Sequence, residues 1–537
     1  MSDPGLCFLA HVGDPFSVVP LRLIRCDSNG SVREIGVEDF GKETMQIVSY
    51  DLRTLIDACR LSNVNPPALL VDIADALRLL GGRSRAQGGE KLWDFWAFAS
   101  AEDSQPYDPQ TLKAIVEGKA PPPSEDAKLL EMLIATAKTI HHVWRRVSAG
   151  LVDQQEDRRF FTIESPVRRI FSLRQHGGLL INLIEMRNVI DQATKEKYTA
   201  FRSLASMLGF SPAGLSFRNI GNFLQKTDAA YLSEYSSSDQ LEQYFKLARQ
   251  KSTFADAFLT FIKAGRTLSV LRTIDSSAGR LYPTFECIGT VTARILVADP
   301  RLQQLPKQFR SILSPDEGHC LWYFDYAQFE PGVLAALMED AIFIDFYESS
   351  DVYSALSKAI FGNESQRETC KIIFLAYCYG MSAERISEIL ARGSIEQERD
   401  RLTASISTFF NAVPSLASYR QEMQELLLRE GYVSSVMGNR RYRTNNGPLS
   451  AVEKRWALNQ RIQGTASLIF KQAIIDLAEA FGPESILLPM HDAILMQFEE
   501  RRDPKKEVEE IMVRSFQEWC PNVKPRIIAG DFVIHTA

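Results

Sequence analysis

Three short segments in the second half of the chain carry residue types whose spacing suits chemistry on a charged substrate. Asp325 ends a short aromatic and apolar run, LWYFDYAQFEPGVLAAL, that reads as a strand running into a helix. A strand-end carboxylate can point into a cleft, although the same residue also serves as a turn or cap. In SILLPMHDAILMQF, His491 and Asp492 interrupt two apolar runs and so occupy a hairpin tip, where a solvated turn is the other reading. Between them, SQRETCKIIFLAYCYGMS reads as a helix with Ser365 near its N-cap, and Arg367, Lys371, Leu375 and Tyr379 recur every four positions. Arg367 and Lys371, about 6 Å apart on that face, suit the successive phosphates of a nucleoside triphosphate, with the later two residues over its sugar and base. A solvent-facing basic pair on a surface helix is the alternative.

The elements that must position these groups need several cores. A chain of 537 residues exceeds what one core organises, so roughly three or four subdomains are expected. Hydrophobic residues at 45% and charged residues at 24% describe a globular protein folded throughout. A net charge of −6 repels polyanions in bulk, so any nucleic-acid site must come from local Arg and Lys clusters. The eight cysteines form no CxxC pair and read as buried, reduced thiols. The chain lacks an apolar run of about 18 residues, and its start has acids where a signal peptide needs a basic segment, so a cytoplasmic protein without a membrane partner is expected.

The proline run in GKAPPPS (118–124) marks a domain boundary. Upstream, LCFLAHV and MQIVSY alternate with the helical pattern LRTLIDACRL, which reads as an α/β unit. Downstream, SEDAKLLEMLIATAKTIHHVWRRV reads as a long amphipathic helix, and TKEKYTAFRSLASMLGF as another that ends near Gly209.

The order of the three chemical segments resembles the DNA polymerase I family, the family A DNA polymerases. GTVTARILVADPRLQQLP is similar to that family's segment before the palm, and NQRIQGTAS to its primer-template helix. The resemblance covers about residues 165–537. It implies an α/β multidomain fold with a right-hand polymerase of palm, fingers and thumb. Separately, QIVSYDLRTLIDACRL followed by LLVDIADALRLLGG resembles the later strand and helix pattern of a 3′–5′ exonuclease domain, which implies a degenerate exonuclease-like α/β domain at the N-terminus. The expected layout is 1–120 exonuclease-like and inactive, 121–280 connector and thumb, 281–340 first part of the palm, 341–435 fingers, and 436–537 second part of the palm.

The resemblance also implies roles. Asp325 and Asp492 become the ligands of two Mg²⁺ ions, with Mn²⁺ as a substitute and the Tyr326 carbonyl as a further ligand. Arg367 and Lys371 meet the triphosphate of an incoming dNTP, Tyr379 sits near the templating base, and Glu330 lies beside the sugar. Arg294, Gln304, Arg455, Asn459, Gln463 and His491 face the primer-template DNA. Replication accessory proteins are further expected partners, and a compact, divergent chain of this type is expected from a phage or mobile element. A single-subunit RNA polymerase and a catalytically impaired DNA-binding relative are the competing readings.

Departures from the family pattern bear on the site. Ala493 stands where a glutamate usually follows the His-Asp pair. Leu375 replaces an aromatic residue, Tyr353 a phosphate-contacting histidine, and Gly332 an arginine, so unusual nucleotide handling is expected. The first 160 residues hold neither Asp-x-Glu nor Tyr-x-x-x-Asp, and Asp72 alone cannot hold two metals, so 3′–5′ proofreading is not expected.

Overall fold

The computed structural model describes residues 7–13, 20–36, 38–39, 46–67, 70–81, 93–217, 252–274, 279–378, 380–391, 396–444 and 446–530, with single positions at 220, 242, 245, 246 and 249. The first unit is built on strands β1 (Cys7–Gly13), β2 (Pro20–Asp27), β3 (Val32–Ile35), β4 (Ile47–Ser49) and β5 (Leu70–Asp72). They lie in the order β3-β2-β1-β4-β5, with β1 antiparallel to β2 and parallel to β4. Helix α1 (Leu52–Leu61) starts where Asp51 accepts the Thr54 N–H, and α2 (Ile73–Gly81) starts where Asp72 accepts the Ala74 N–H at 2.9 Å.

The proline connector does not end this core. Helix α3 (Asp126–Asp153) follows it and packs back on the sheet, so Leu133, Val143 and Trp144 share one apolar cluster with Ile24, Val48 and Val71. The amphipathic pattern of α3 therefore serves the N-terminal unit as well as the chain beyond residue 120.

Arg168, on helix α4 (Ser165–Gly177), joins that unit to the rest. Its guanidinium reaches Asp75 at 2.6 Å and Asp72 at 3.5 Å, and donates to the Phe285 carbonyl at 2.8 Å. Burial first, and then the neighbouring Asp75 charge, push the Asp72 carboxyl up to about 7, with Arg168 working against both.

Helices α5 (Leu183–Leu208) and α6 (Thr253–Leu271) bury Ala200, Leu204, Phe258 and Phe261 against each other, and Gly209 ends α5 at φ 71°, the left-handed conformation that favours glycine. The sheet that carries the chemistry follows. Strand β6 (His319–Ala327) leads into α7 (Phe329–Met338), then α8 (Val352–Phe361), α9 (Arg367–Cys378), α10 (Glu396–Asn411) and α11 (Pro414–Glu430). The 31-residue helix α12 (Ala451–Phe481) opens with a reciprocal Ser450–Glu453 capping box. After it come β7 (Ile486–Met490), β8 (Ala493–Glu499), α13 (Lys505–Trp519) and β9 (Arg526–Gly530), and the antiparallel sheet runs β7-β8-β6-β9.

Alternation along β6 sorts its two faces. Tyr326 stacks on Phe329 at 4.4 Å and donates its hydroxyl to the Met512 carbonyl on α13, while Phe324 is fully buried. Asp325, between them in sequence, must face the opposite side. No helix among the described residues is long and apolar enough to cross a membrane. Cys26, Cys59, Cys287, Cys370, Cys378 and Cys520 are buried and unbridged, as expected, whereas Cys320 is unbridged but only half-buried.

Candidate active site

Strand register brings the two aspartates together. Asp325 on β6 pairs with Ala493 on β8, and Met490 pairs with the same Ala493 across the turn, so His491 and Asp492 form the two-residue tip beside Asp325. His491 has φ +64°, a conformation that costs a non-glycine residue and persists only where surroundings enforce it. Here the Asp492 carbonyl accepts the Tyr326 N–H at 3.4 Å, tying the tip to β6.

Burial first, and then the charge of Asp492, push the Asp325 carboxyl from its ordinary 3.8 up to about 6, with Lys307, Lys371 and Arg310 working against both. Burial likewise holds the His491 imidazole below its ordinary value. A carboxyl raised in the folded state favours the fold while protonated, and that stability is lost as pH rises from about 4 through about 6. In metal-free buffer, Asp325→Asn should therefore gain in melting temperature over wild type at pH 7.5 and gain much less at pH 4.5. Equal gains at both values would contradict the burial argument.

One cavity of about 940 Å³ joins these groups to the helix opposite: Asp325 and Asp492 line one side, Arg367, Lys371 and Leu375 on α9 the other. The four-residue stripe thus faces the carboxylates over its described length, while Tyr379 lies outside the described residues. Glu330, one residue into α7, lines the same space, and its Oε1 accepts from Arg294 Nη2 at 2.5 Å and from Gln463 Nε2 at 3.1 Å. Arg294 also reaches Asp492 at 3.8 Å. Burial raises the Glu330 carboxyl and these two donors oppose it.

Residues expected on the DNA side divide. Asn459 and Gln463 are half-buried on α12, and Arg455 is exposed one turn earlier. Gln304 lines a second, larger groove together with His491 and with Lys263 and Arg266 of α6. Tyr353 is buried, with its ring edge-on to Phe374 at 5.8 Å and beneath the Arg367 guanidinium at 5.4 Å, and it lines the same cavity as Arg367 and Lys371.

Two departures have local reasons. A Cβ at Gly332 would meet the Tyr347 hydroxyl at 2.6 Å, so this tyrosine fills the space that a longer side chain needs. Ala493 on one side of Asp325 and Ile528 on the other leave no third acid beside it on the sheet. Lys307 and Arg310 also line the cavity and were not singled out from the sequence. Their only signal is a basic pair three residues apart in LPKQFRSIL, too common to stand alone.

With the geometry in place, comparison decides the family. The family model described as DNA polymerase family A matches residues 210–524. The chain belongs to DNA polymerase family A. Among curated family A relatives, DNA polymerase I of Treponema pallidum is 27% identical over 399 residues, 67% of this chain and 38% of that protein. The thermostable DNA polymerase I of Thermus aquaticus is 30% identical over 284 residues, 49% of this chain and 32% of that protein. The chain thus spans between about a third and two fifths of these relatives. The solved POL domain of Pol1 from M. smegmatis, in complex with DNA primer-template and dNTP, superposes with a TM-score of 0.75 at 19% identity, covering 97% of this chain and 94% of that one. The family A fold of palm, fingers and thumb therefore accounts for the mixed α/β architecture.

Proposed function

We propose that this chain is a template-directed DNA polymerase that extends a DNA primer with dNTPs by two-metal nucleotidyl transfer. The observation that carries the proposal is the single cavity in which Asp325 and Asp492 face Arg367 and Lys371. The relatives, DNA polymerases I, and the neighbour held with primer-template and dNTP support it.

The donor set fits divalent cations. Burial, and then the charge of Asp492, raise the Asp325 carboxyl, and hard oxygen donors suit Mg²⁺. Asp325, Asp492 and the Tyr326 carbonyl would hold two such ions, with Mn²⁺ as a substitute. Held there, such ions would supply the Lewis acidity that activates a primer hydroxyl and stabilises a departing pyrophosphate.

The protein's own groups do the rest. Arg367 and Lys371 meet the triphosphate and neutralise charge that grows on the leaving group. Leu375 lies against the incoming nucleotide, Tyr353 supports Arg367, and Tyr379 is assigned to the templating base. Arg294, Gln304, Arg455, Asn459, Gln463 and His491 face the duplex. The layout of 281–340 and 436–537 as palm, 341–435 as fingers and 121–280 as connector and thumb follows from this reading. The exonuclease-like unit within 1–120 is read as non-hydrolytic, because the acids nearest its sheet end, Asp72 and Asp75, are engaged by Arg168.

The test is extension of a primed DNA template in Mg²⁺. Addition of complementary dNTPs is expected, and with dNTPs withheld a 3′-mismatched primer should keep its length. Metal-dependent shortening would overturn the non-hydrolytic reading, and failure to extend would overturn the polymerase.

A further inference from the structure

The guanidinium of Arg367, the first residue of α9, is held by two acids that differ in kind. Its Nε and Nη2 both donate to Asp351 Oδ2, at 3.3 and 2.9 Å, while Nη1 donates to Glu368 Oε1 at 3.1 Å. Glu368 is 83% exposed, so its hold is that of a solvated surface pair and is easily exchanged. Asp351 is 28% exposed and does a second job: its Oδ1 accepts the Ser354 N–H at 2.8 Å and so caps α8.

The backbone on either side of Asp351 is pinned as well. Gln328 Oε1 accepts the Val352 N–H at 2.8 Å, and Arg526 Nη2 donates to the Ser350 carbonyl at 3.0 Å. Both anchors, Gln328 and Arg526, line the cavity that holds Asp325. Asp351 is therefore a fixed point, with one oxygen committed to the helix cap and the other to Arg367.

We infer that Asp351 is a positioning residue for the incoming triphosphate, holding the Nε edge of Arg367 so that Nη1 faces the cavity, where phosphate oxygens replace Glu368. The inference rests on reading Arg367 as a triphosphate contact. A guanidinium has five N–H donors in a rigid fork, so holding one edge aims the other. An arginine left loose would have to be ordered at each binding event, and fixing it beforehand removes that cost. The titration directions agree with the pairing. Burial works to raise the Asp351 carboxyl, yet Arg367 brings it below its ordinary value, and the hydrogen bond to Asp351 raises Arg367.

Asp351→Asn is the informative change, because asparagine caps a helix as well as aspartate while losing the charge that holds the guanidinium. We would measure equilibrium binding of dTTP in Mg²⁺ to the enzyme on a 3′-dideoxy-terminated primer opposite a template dA, where no bond forms. Single-nucleotide extension would supply kcat and KM for the same four proteins: wild type, Asp351→Asn, Arg367→Gln and the double variant. Asp351→Asn should weaken dTTP binding and raise KM by about 10-fold, the scale of one charge-assisted hydrogen bond, with a smaller change in kcat. In the Arg367→Gln background it should add nothing. Additive losses in the double variant, or unchanged binding in Asp351→Asn beside weakened binding in Arg367→Gln, would overturn the inference alone. Unweakened binding in Arg367→Gln would instead overturn the reading beneath it, and the inference with it.

Discussion

Asp325→Ala and Asp492→Ala are each expected to lower primer extension by at least about 10³-fold, the range seen when one member of a catalytic unit is removed. Binding of primer-template should change little, because the residues proposed to face the duplex, Arg455, Asn459 and Gln463 on α12 among them, are left in place. The β6–β8 register sets Asp325 beside the hairpin tip that carries Asp492, and the neighbouring sheet positions, Ala493 and Ile528, supply no other carboxylate. Each aspartate is thus without a substitute on that sheet face. Loss of fold is not the expected cause in the Asp325 variant, since the carboxyl it removes is buried, crowded by Asp492 and pushed up to about 6. Titrating duplex binding and timing single-nucleotide addition on the same preparations separates the two effects. Near wild-type turnover in either variant would remove that aspartate from the chemistry.

Glu330→Ala is expected to raise incorporation of ribonucleotides relative to deoxyribonucleotides by about 10²-fold or more. Glu330 lines the cavity one residue into α7, and two donors fix its carboxylate, Arg294 at 2.5 Å and Gln463 at 3.1 Å. A side chain held from two sides cannot swing away from a 2′-hydroxyl. A buried hydroxyl without a good partner adds roughly 1–3 kcal/mol to the contact penalty. If Glu330 were only an acid favoured by the helix N-terminus, alanine would fold and leave the sugar preference unchanged. The ratio of kcat/KM values for one rNTP and its dNTP, measured for both proteins, decides. Wild-type enzyme that already takes both sugars equally would favour the RNA polymerase reading.

The sequence made the carboxylates legible because each sits where an apolar alternation stops, at a strand end for Asp325 and at a hairpin tip for Asp492. The four-residue stripe of α9 was legible for the same reason, since helical period alone puts Arg367, Lys371 and Leu375 on one face. What periodicity cannot show is which distant segments pack together. Lys307 and Arg310 gain their interest only when the chain after the pre-palm segment folds over Asp325. Asp351 carries no signal in the sequence, because its tie to Arg367, 16 positions later, exists only once α8 and α9 pack together. The proline run reads as a domain boundary in the sequence, but prolines report local chain geometry, and the return of α3 onto the N-terminal sheet depends on Leu133, Val143 and Trp144. Gly332 reads as a missing arginine in the sequence and as room for Tyr347 in the fold.

The most direct test of the account is single-nucleotide extension by the wild-type protein on four primed DNA templates that differ only in the base after the primer. The account predicts Mg²⁺-dependent addition of the complementary dNTP on each template, with the matching rNTP strongly disfavoured. Absence of extension on all four, or addition that ignores the template base, would contradict it.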